Sequence, residues 1–344
     1  RPITQGFILL FIFVICINLI YIYLIMKILI TGIAGFIAFN FAKEISKNRN
    51  VKIVGIDNLS DYYSVRLKKK KIKLLNKNKN FKFLKIDLLE KDKIIKIFKT
   101  FKFDEVYNFA AQAGVRFSME NPSAYIDTNV SGFSNLISVA KNFKTKKFFY
   151  ASSSSVYGDN NRFPLHEKEE INPKNIYGLS KKFNEEIAQN FFEMYNFKST
   201  GLRFFTVFGE WGRPDMFMLK LLNAAYKKRK FYLNNKGNHY RDFTYIKDVI
   251  SLVIKLRNFK NNKHEVYNIC SNKPIGLKKV MNFIGKFTPK TKIILREKQL
   301  ADIYKTHGSN TKIIKKIGNF NFTNLEVSIK NTINWYKNNS HLFD

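Results

Sequence analysis

The feature that most constrains this chain is an apolar strand that stops at a glycine turn and runs on into a helix. Lys27 to Thr31 closes on Gly32-Ile33-Ala34-Gly35-Phe36-Ile37-Ala38, after which a helical pattern begins. A strand, a glycine turn and a helix N-terminus in this order aim backbone N–H groups and the positive end of a helix dipole at a pyrophosphate. Gly32 permits the tight turn and Gly35 lets the backbone approach the phosphates. The spacing is GxxGxxA rather than GxGxxG, so an ordinary structural turn stays open as a reading of this motif alone. Asp57, at the end of the next strand, narrows the choice. A carboxylate there can accept both ribose hydroxyls of an adenosine, and a 2′-phosphate would meet its negative charge, so NAD is favoured over NADP. Asp87 and Leu88, after the third strand, are placed to touch the adenine.

Beyond the first strand, short apolar runs alternate with longer helical patterns. Strands are expected at Ile28 to Thr31, Lys52 to Asp57, Lys82 to Ile86, Glu105 to Phe109, Lys147 to Ser152 and Ser199 to Phe204. None shows clean polar/apolar alternation, as befits strands buried on both faces. Helices are expected at Ile37 to Lys47 and at Ile171 to Tyr195. The fold class is therefore α/β, a Rossmann-type doubly wound parallel sheet with a smaller mixed α/β C-terminal substrate-binding region. Residues 27–204 form the NAD-binding domain. Residues 205–344 form the substrate region, with a strand near 266–270 returning to the sheet and a last amphipathic helix near Val327 to Tyr336.

Residues 1–26 stand apart. From Phe7 to Met26 every position except Asn18 is apolar, and a run of roughly 20 such residues can span a bilayer. Met26 nevertheless runs straight into the first strand with no linker. An upstream translation artefact and a membrane anchor both remain open, and with them a cytoplasmic or a membrane-anchored location.

The formal net charge of +34 raises the question of nucleic acid. The excess is mostly Lys spread through the chain, without a recognition motif, so no nucleic-acid partner is expected. The densest cluster, Lys68 to Lys71, is expected on a solvated helix face. Cys16 and Cys270 match no metal or redox spacing, and no metal is expected.

Tyr177-Gly178-Leu179-Ser180-Lys181 sets a phenol and an ammonium one turn apart on a helix. The cation is expected to lower the phenol's pKa and make Tyr177 a general base near neutrality. Before it comes Ala151-Ser152-Ser153-Ser154-Ser155-Val156-Tyr157-Gly158, a strand end rich in hydroxyls. A serine-rich turn or a lone YxxxK carries little alone; their order after a glycine turn and an acidic ribose ligand carries more.

These motifs resemble the extended short-chain dehydrogenases, and most closely the UDP-glucuronate 4-epimerases. The resemblance runs through Gly55-Ile56-Asp57-Asn58-Leu59-Ser60-Asp61-Tyr62-Tyr63 and Ala110-Ala111-Gln112-Ala113-Gly114-Val115-Arg116. It continues in Gly201-Leu202-Arg203-Phe204-Phe205-Thr206-Val207-Phe208-Gly209, Trp211-Gly212-Arg213-Pro214-Asp215-Met216 and Arg241-Asp242-Phe243-Thr244-Tyr245. It implies tightly held NAD contacted by Gly32, Gly35, Phe36, Ile37, Asp57, Asn58, Asp87, Leu88, Ala110, Ala111, Gln112, Asn129, Tyr177 and Lys181. It implies a catalytic set of Ser153, Tyr177 and Lys181 that oxidises the C4 carbinol of a UDP-hexuronic acid and returns the hydride to the other face. Thr206 and Arg213 would meet the sugar, the latter through its C6 carboxylate. Arg116, Arg241 and Asp302 would serve the UDP end, the arginines by neutralising diphosphate.

Related decarboxylases and 4,6-dehydratases carry an acid before the Val-Tyr-Gly, where this chain has Ser154 and Ser155. Neither serine replaces that proton shuttle; together with Thr206 and Arg213 they are expected to restrain the sugar carboxylate. The departures are Ala38 for a third glycine, Asn108-Phe109 for His-Leu, Gly178 for Ala, and the missing Pro-Gly before Asp302. A homodimer is expected by the same resemblance. Two readings remain beside it, a 4-epimerase of another nucleotide sugar such as UDP-glucose or a UDP-N-acetylhexosamine, and a catalytically silent NAD-binding protein.

Overall fold

Apolar strands without a polar face need cover on both sides, and the structure, a computed structural model describing residues 25–299 and 303–343, provides it. In β1 (Met26–Thr31), Ile28 and Ile30 pack into one buried cluster and Leu29 into the other, as alternate residues of a strand must. The chain continues through β2 (Val51–Asp57), β3 (Phe81–Lys85), β4 (Glu105–Asn108), β5 (Lys147–Ser153), β6 (Thr200–Phe204) and β7 (Thr206–Phe208). It ends with β8 (Phe231–Leu233), β9 (Tyr240–Tyr245), β10 (Glu265–Ile269), β11 (Pro274–Gly276) and β12 (Ile293–Leu295).

Seven strands make one sheet in the order β10-β6-β5-β4-β1-β2-β3, and every neighbouring pair is parallel. The order reverses between β1 and β4. At such a switch point the loops diverge and leave a crevice at the carboxyl ends of the strands. β10 returns to this sheet beside β6, with Val266 opposite Gly201. A three-stranded sheet β11-β9-β7 and a two-stranded sheet β12-β8 sit outside it.

The longer helices are α1 (Phe36–Ile45), α2 (Val65–Leu75), α3 (Lys91–Phe101), α4 (Gly132–Asn142), α5 (Ile176–Tyr195), α6 (Phe217–Tyr226), α7 (Ile246–Arg257), α8 (Leu277–Gly285), α9 (Thr311–Ile317) and α10 (Leu325–Asn339). The helix expected from Ile171 begins at Ile176. There the Asn175 side chain accepts from the Gly178 N–H (2.8 Å) and caps the first turn. A π-helical segment, Ile126–Ser131, leads into α4 and buries Asn129; the sequence pattern had not shown it.

The Lys68–Lys71 run is not the solvated face expected of it. Lys69 and Lys70 are exposed, but Lys68 and Lys71 are 5% and 0% exposed. They lie on the stripe of α2 that carries Leu67, Ile72 and Leu75 inward, since Leu67, Lys71 and Leu75 are each one turn apart. Among the described residues no helix is long and apolar enough to cross a membrane. The apolar segment before Met26 falls almost wholly outside the described residues.

Candidate active site

The turn after β1 explains its own glycines. Gly32 has φ +64°, and a Cβ there would come within 2.7 Å of the Ala110 backbone, while one on Gly35 would meet the Gly32 carbonyl at 2.8 Å. Removing both side chains lets the turn close (Gly35 N–H to Gly32 O, 2.7 Å) and leaves the N-terminus of α1 without a side-chain cap. Uncapped first-turn N–H groups are anion ligands. Asp57 is gripped from behind, its carboxylate accepting from the Ala34 N–H (3.0 Å) and the Leu59 N–H (2.8 Å). Beside it Asn58 donates to Asp87 (2.8 Å).

One cleft is lined by Gly32, Gly35, Phe36, Ile37, Asp57, Asn58, Asp87, Leu88, Ala110, Ala111, Gln112, Ser153, Tyr177 and Lys181. The sequence had pointed to all of these. A tight glycine turn that leads into a helix with an uncapped N-terminus, together with an oriented carboxylate at the same cleft, fits a dinucleotide. Asn129 is the exception. It is 2% exposed and spends its amide on the Gln112 backbone (2.8 and 3.0 Å) and on Ser180 (2.9 Å). It holds the cleft wall at Gln112 from behind.

Ser153 ends β5, and Tyr177 and Lys181 share a face of α5. Burial pushes the Tyr177 phenol up, opposed by hydrogen bonding with Ser153 and by the Arg213 charge. The lowering expected from Lys181 is not what acts here. Burial weakens that ammonium itself, bringing it down to about 7 against the opposing charge of Glu185, and its Nζ donates to the Ala151 carbonyl (2.9 Å). Behind these groups, the buried Glu185 carboxylate accepts from Ser152 Oγ (2.5 Å) and from Arg203 Nε (2.9 Å) and Nη2 (2.7 Å). This ties the end of β5 to α5 and β6.

A second cavity is lined by Arg116, Thr206 and Arg241, with Tyr232, Asn234, Asp215 and Tyr62; Tyr62 also lines the first. Arg213 also lines the first cavity and Thr206 the second, and both line a small cavity with Phe36, Met216 and Phe217. The Arg213 guanidinium holds Asp215 with two parallel bonds, Nε to Oδ1 (3.0 Å) and Nη2 to Oδ2 (2.8 Å). Burial pushes Asp215 up, but Arg213 overrides it and holds the carboxyl below its usual range. Arg241 donates to the carbonyls of Tyr240 (2.8 Å), Ile303 (2.7 Å) and Tyr304 (3.0 Å). Arg116 Nη1 meets the amide oxygen of Asn234 (3.0 Å), the orientation that satisfies both groups.

Ser154 and Ser155 fall outside both cavities, because the chain turns there into a 3₁₀ helix and Ser155 bonds back to Ser153 (3.2 Å). Asp302 lies outside the described residues. Tyr62, Tyr63, Lys68 and Met216 line the cofactor cleft without having been foreseen. The stripe spacing of α2 was the signal available for Lys68. Among the described residues no cluster of His, Cys, Asp or Glu is arranged to hold a metal.

Residues 28–270 match the model of the NAD dependent epimerase/dehydratase family. UDP-glucuronate 4-epimerase of Thermodesulfobacterium geofontis (strain OPF15) is 33% identical over 317 residues, covering 91% of this chain and 97% of that protein. The crystal structure of UDP-glucuronic acid 4-epimerase from Bacillus cereus, in complex with UDP-glucuronic acid and NAD, is similar with a TM-score of 0.85 and 27% identity, over 91% of this chain and 99% of that one. UDP-glucose 4-epimerase from Thermotoga maritima with UDP-glucose gives 0.83 and 25%, over 92% and 100%. The family match over residues 28–270 and the 33% identity across nearly the whole of the Thermodesulfobacterium geofontis protein show that the chain belongs to the NAD dependent epimerase/dehydratase family.

Proposed function

We propose that this protein is a UDP-glucuronate 4-epimerase, interconverting UDP-glucuronate and UDP-galacturonate through a transient 4-keto sugar. The observation that carries the reading is the junction of two cavities. The cofactor cleft holds Ser153, Tyr177 and Lys181, and Tyr62 joins it to a cavity with arginines at its edge. Residues 27–204 hold the cofactor and residues 205–344 supply most of the sugar-nucleotide side.

Ser153 Oγ hydrogen-bonds the sugar O4, and Tyr177 Oη, in the phenolate form that the Ser153 hydrogen bond and the Arg213 charge favour against burial, takes its proton. NAD⁺, when bound, supplies a hydride acceptor at C4 and, once reduced, the donor that returns it. Tyr177 then gives the proton back to O4, so electrons and protons balance with no net oxidation. Lys181, held by the Ala151 carbonyl, positions the nicotinamide ribose. Arg213 faces the C6 carboxylate with the donors that Asp215 leaves over; a guanidinium has five N–H groups and Asp215 engages Nε and Nη2. Arg116 and Arg241 flank the diphosphate. With Ser154 and Ser155 in place of acids, no group at those positions shuttles the proton that decarboxylation or dehydration of the keto sugar requires.

One observation favours a second reading, a neutral UDP-hexose. The Asp215 carboxylate already occupies the Arg213 fork and would repel a uronate placed beside it. Incubating the purified protein with UDP-glucuronate and following the sugar by NMR separates the readings. UDP-galacturonate supports the proposal; a UDP-pentose, or turnover of UDP-glucose alone, contradicts it. We also propose a homodimer. Met119, Phe183 and Met194 are exposed apolar residues on or beside α5, a surface that a second copy would cover. A monomeric mass in analytical ultracentrifugation would remove this part.

A further inference from the structure

A buried ammonium that takes no part in the proton transfer lies behind the glycine turn. Lys71 is 0% exposed, and its Nζ donates to the Ala34 carbonyl (3.3 Å). The same carbonyl accepts from Tyr63 Oη (3.1 Å). On its other side Ala34 donates its N–H to Asp57 (3.0 Å). Ala34 stands between Gly32 and Gly35, so the turn that leads the first amides of α1 to a pyrophosphate is clamped at its middle residue from both directions.

We propose that Lys71 is a positioning residue for the dinucleotide: it fixes the turn through the Ala34 carbonyl and sets a buried positive charge behind the pyrophosphate seat, so that its protonation and cofactor binding are coupled. The inference rests on the NAD reading of the cleft. A buried ammonium with a single carbonyl partner and, among the described residues, no carboxylate in contact is costly, and an anion bound in front of the turn would offset part of that cost. Asp57, at the end of β2, favours the charge; Lys68 on the same helix and Arg213 from the loop after β7 oppose it. The Phe39 ring of α1 and the Tyr63 ring lie 6.0 and 5.7 Å from the ammonium. The remaining charges on neighbouring elements are exposed, Lys43 and Glu44 on α1 and His341 on the C-terminal 3₁₀ turn (Ser340–Phe343). Burial outweighs the rest and brings Lys71 down to about 7.

The sign follows by linkage. A bound pyrophosphate raises the affinity of Lys71 for its proton, and reciprocally the protonated protein binds NAD⁺ more tightly. Affinity is full below pH 7 and falls as the pH rises through it. If the shift on binding is about one unit, NAD⁺ binds about fivefold more weakly at pH 8 than at pH 6, and a larger shift takes the ratio toward about tenfold.

Calorimetric titration of the cofactor-stripped protein with NAD⁺, in buffers of different ionisation heat, tests this. The wild type takes up protons at pH 7.5. Lys71→Met binds NAD⁺ about tenfold more weakly at pH 6, loses the pH dependence, and melts no lower than wild type because an apolar stem replaces a buried charge. Tyr63→Phe weakens binding while keeping the pH dependence. Wild-type affinity and pH dependence in Lys71→Met would overturn the proposal. If Lys71→Met does not fold, Lys181→Met decides: uptake that persists supports Lys71, and uptake that vanishes assigns the proton to Lys181 and overturns it. A wild type that binds no NAD⁺ at any pH refutes the cofactor reading itself, a separate result.

Discussion

The two cavities that meet at Tyr62 are built in different ways. The cofactor cleft is edged by the carboxyl ends of neighbouring parallel strands: the turn after β1, Asp57 on β2, Asp87 after β3, Ala110 to Gln112 after β4, Ser153 on β5. Each contribution is a short unbroken stretch of chain, and much of it is backbone. The sugar-nucleotide cavity is collected from Gly114–Phe117, β7, α6, β8 and β9, elements that belong to two small sheets and a helix rather than to one scaffold. A change in the first region should damage catalysis or folding outright. A change in the second should redirect specificity and leave the fold standing.

The largest expected effect breaks the chemistry alone. Tyr177→Phe should lower kcat by roughly 10²–10⁴-fold while the purified protein keeps its NAD content; unchanged turnover would remove the phenol from the mechanism. Next comes the scaffold behind it. Glu185→Gln leaves the Arg203 guanidinium buried without its counter-charge, and chemical denaturation should show a loss of about 3–5 kcal/mol. A loss below 1 kcal/mol would mean that the pair is not what fixes β5 against α5.

At the edge of the cofactor cleft nearest the sugar, Arg213→Ala should cost about 1.5–3 kcal/mol in kcat/KM with UDP-glucuronate, with little change for UDP-glucose. Equal losses on both sugars would withdraw the carboxylate role and favour the neutral substrate. Thr206→Val should have the smallest effect, about 0.5–1.5 kcal/mol and mostly in KM. A collapse of kcat there would show that the second cavity reaches the reacting carbon.

The same contrast explains what was legible in the sequence. Gly32, Asp57 and the Tyr177–Lys181 pair could be read because each acts through local geometry, a turn or a helical spacing that neighbouring residues dictate. Asn129 was read as a ligand and proves to hold the Gln112 backbone, since a motif position does not say which way a π-helical segment turns its side chain. The chain leaves the strand after Ser153, so the serine run alone does not say where the hydroxyls of Ser154 and Ser155 point; Ser155 turns back onto Ser153. Lys68 and Lys71 looked solvated because their charge was weighed above their spacing, although Leu67, Ile72 and Leu75 mark the same stripe. That Thr206 and Arg213 share a small cavity with Phe36 and Met216 depends on tertiary packing and left no local trace.

The most direct test of the account follows the hydrogen at C4. When UDP-glucuronate deuterated at C4 is turned over in ordinary water, the account predicts UDP-galacturonate that keeps its deuterium at C4, with no accumulation of NADH. Deuterium lost to solvent, or a product whose C4 configuration is unchanged, would contradict it.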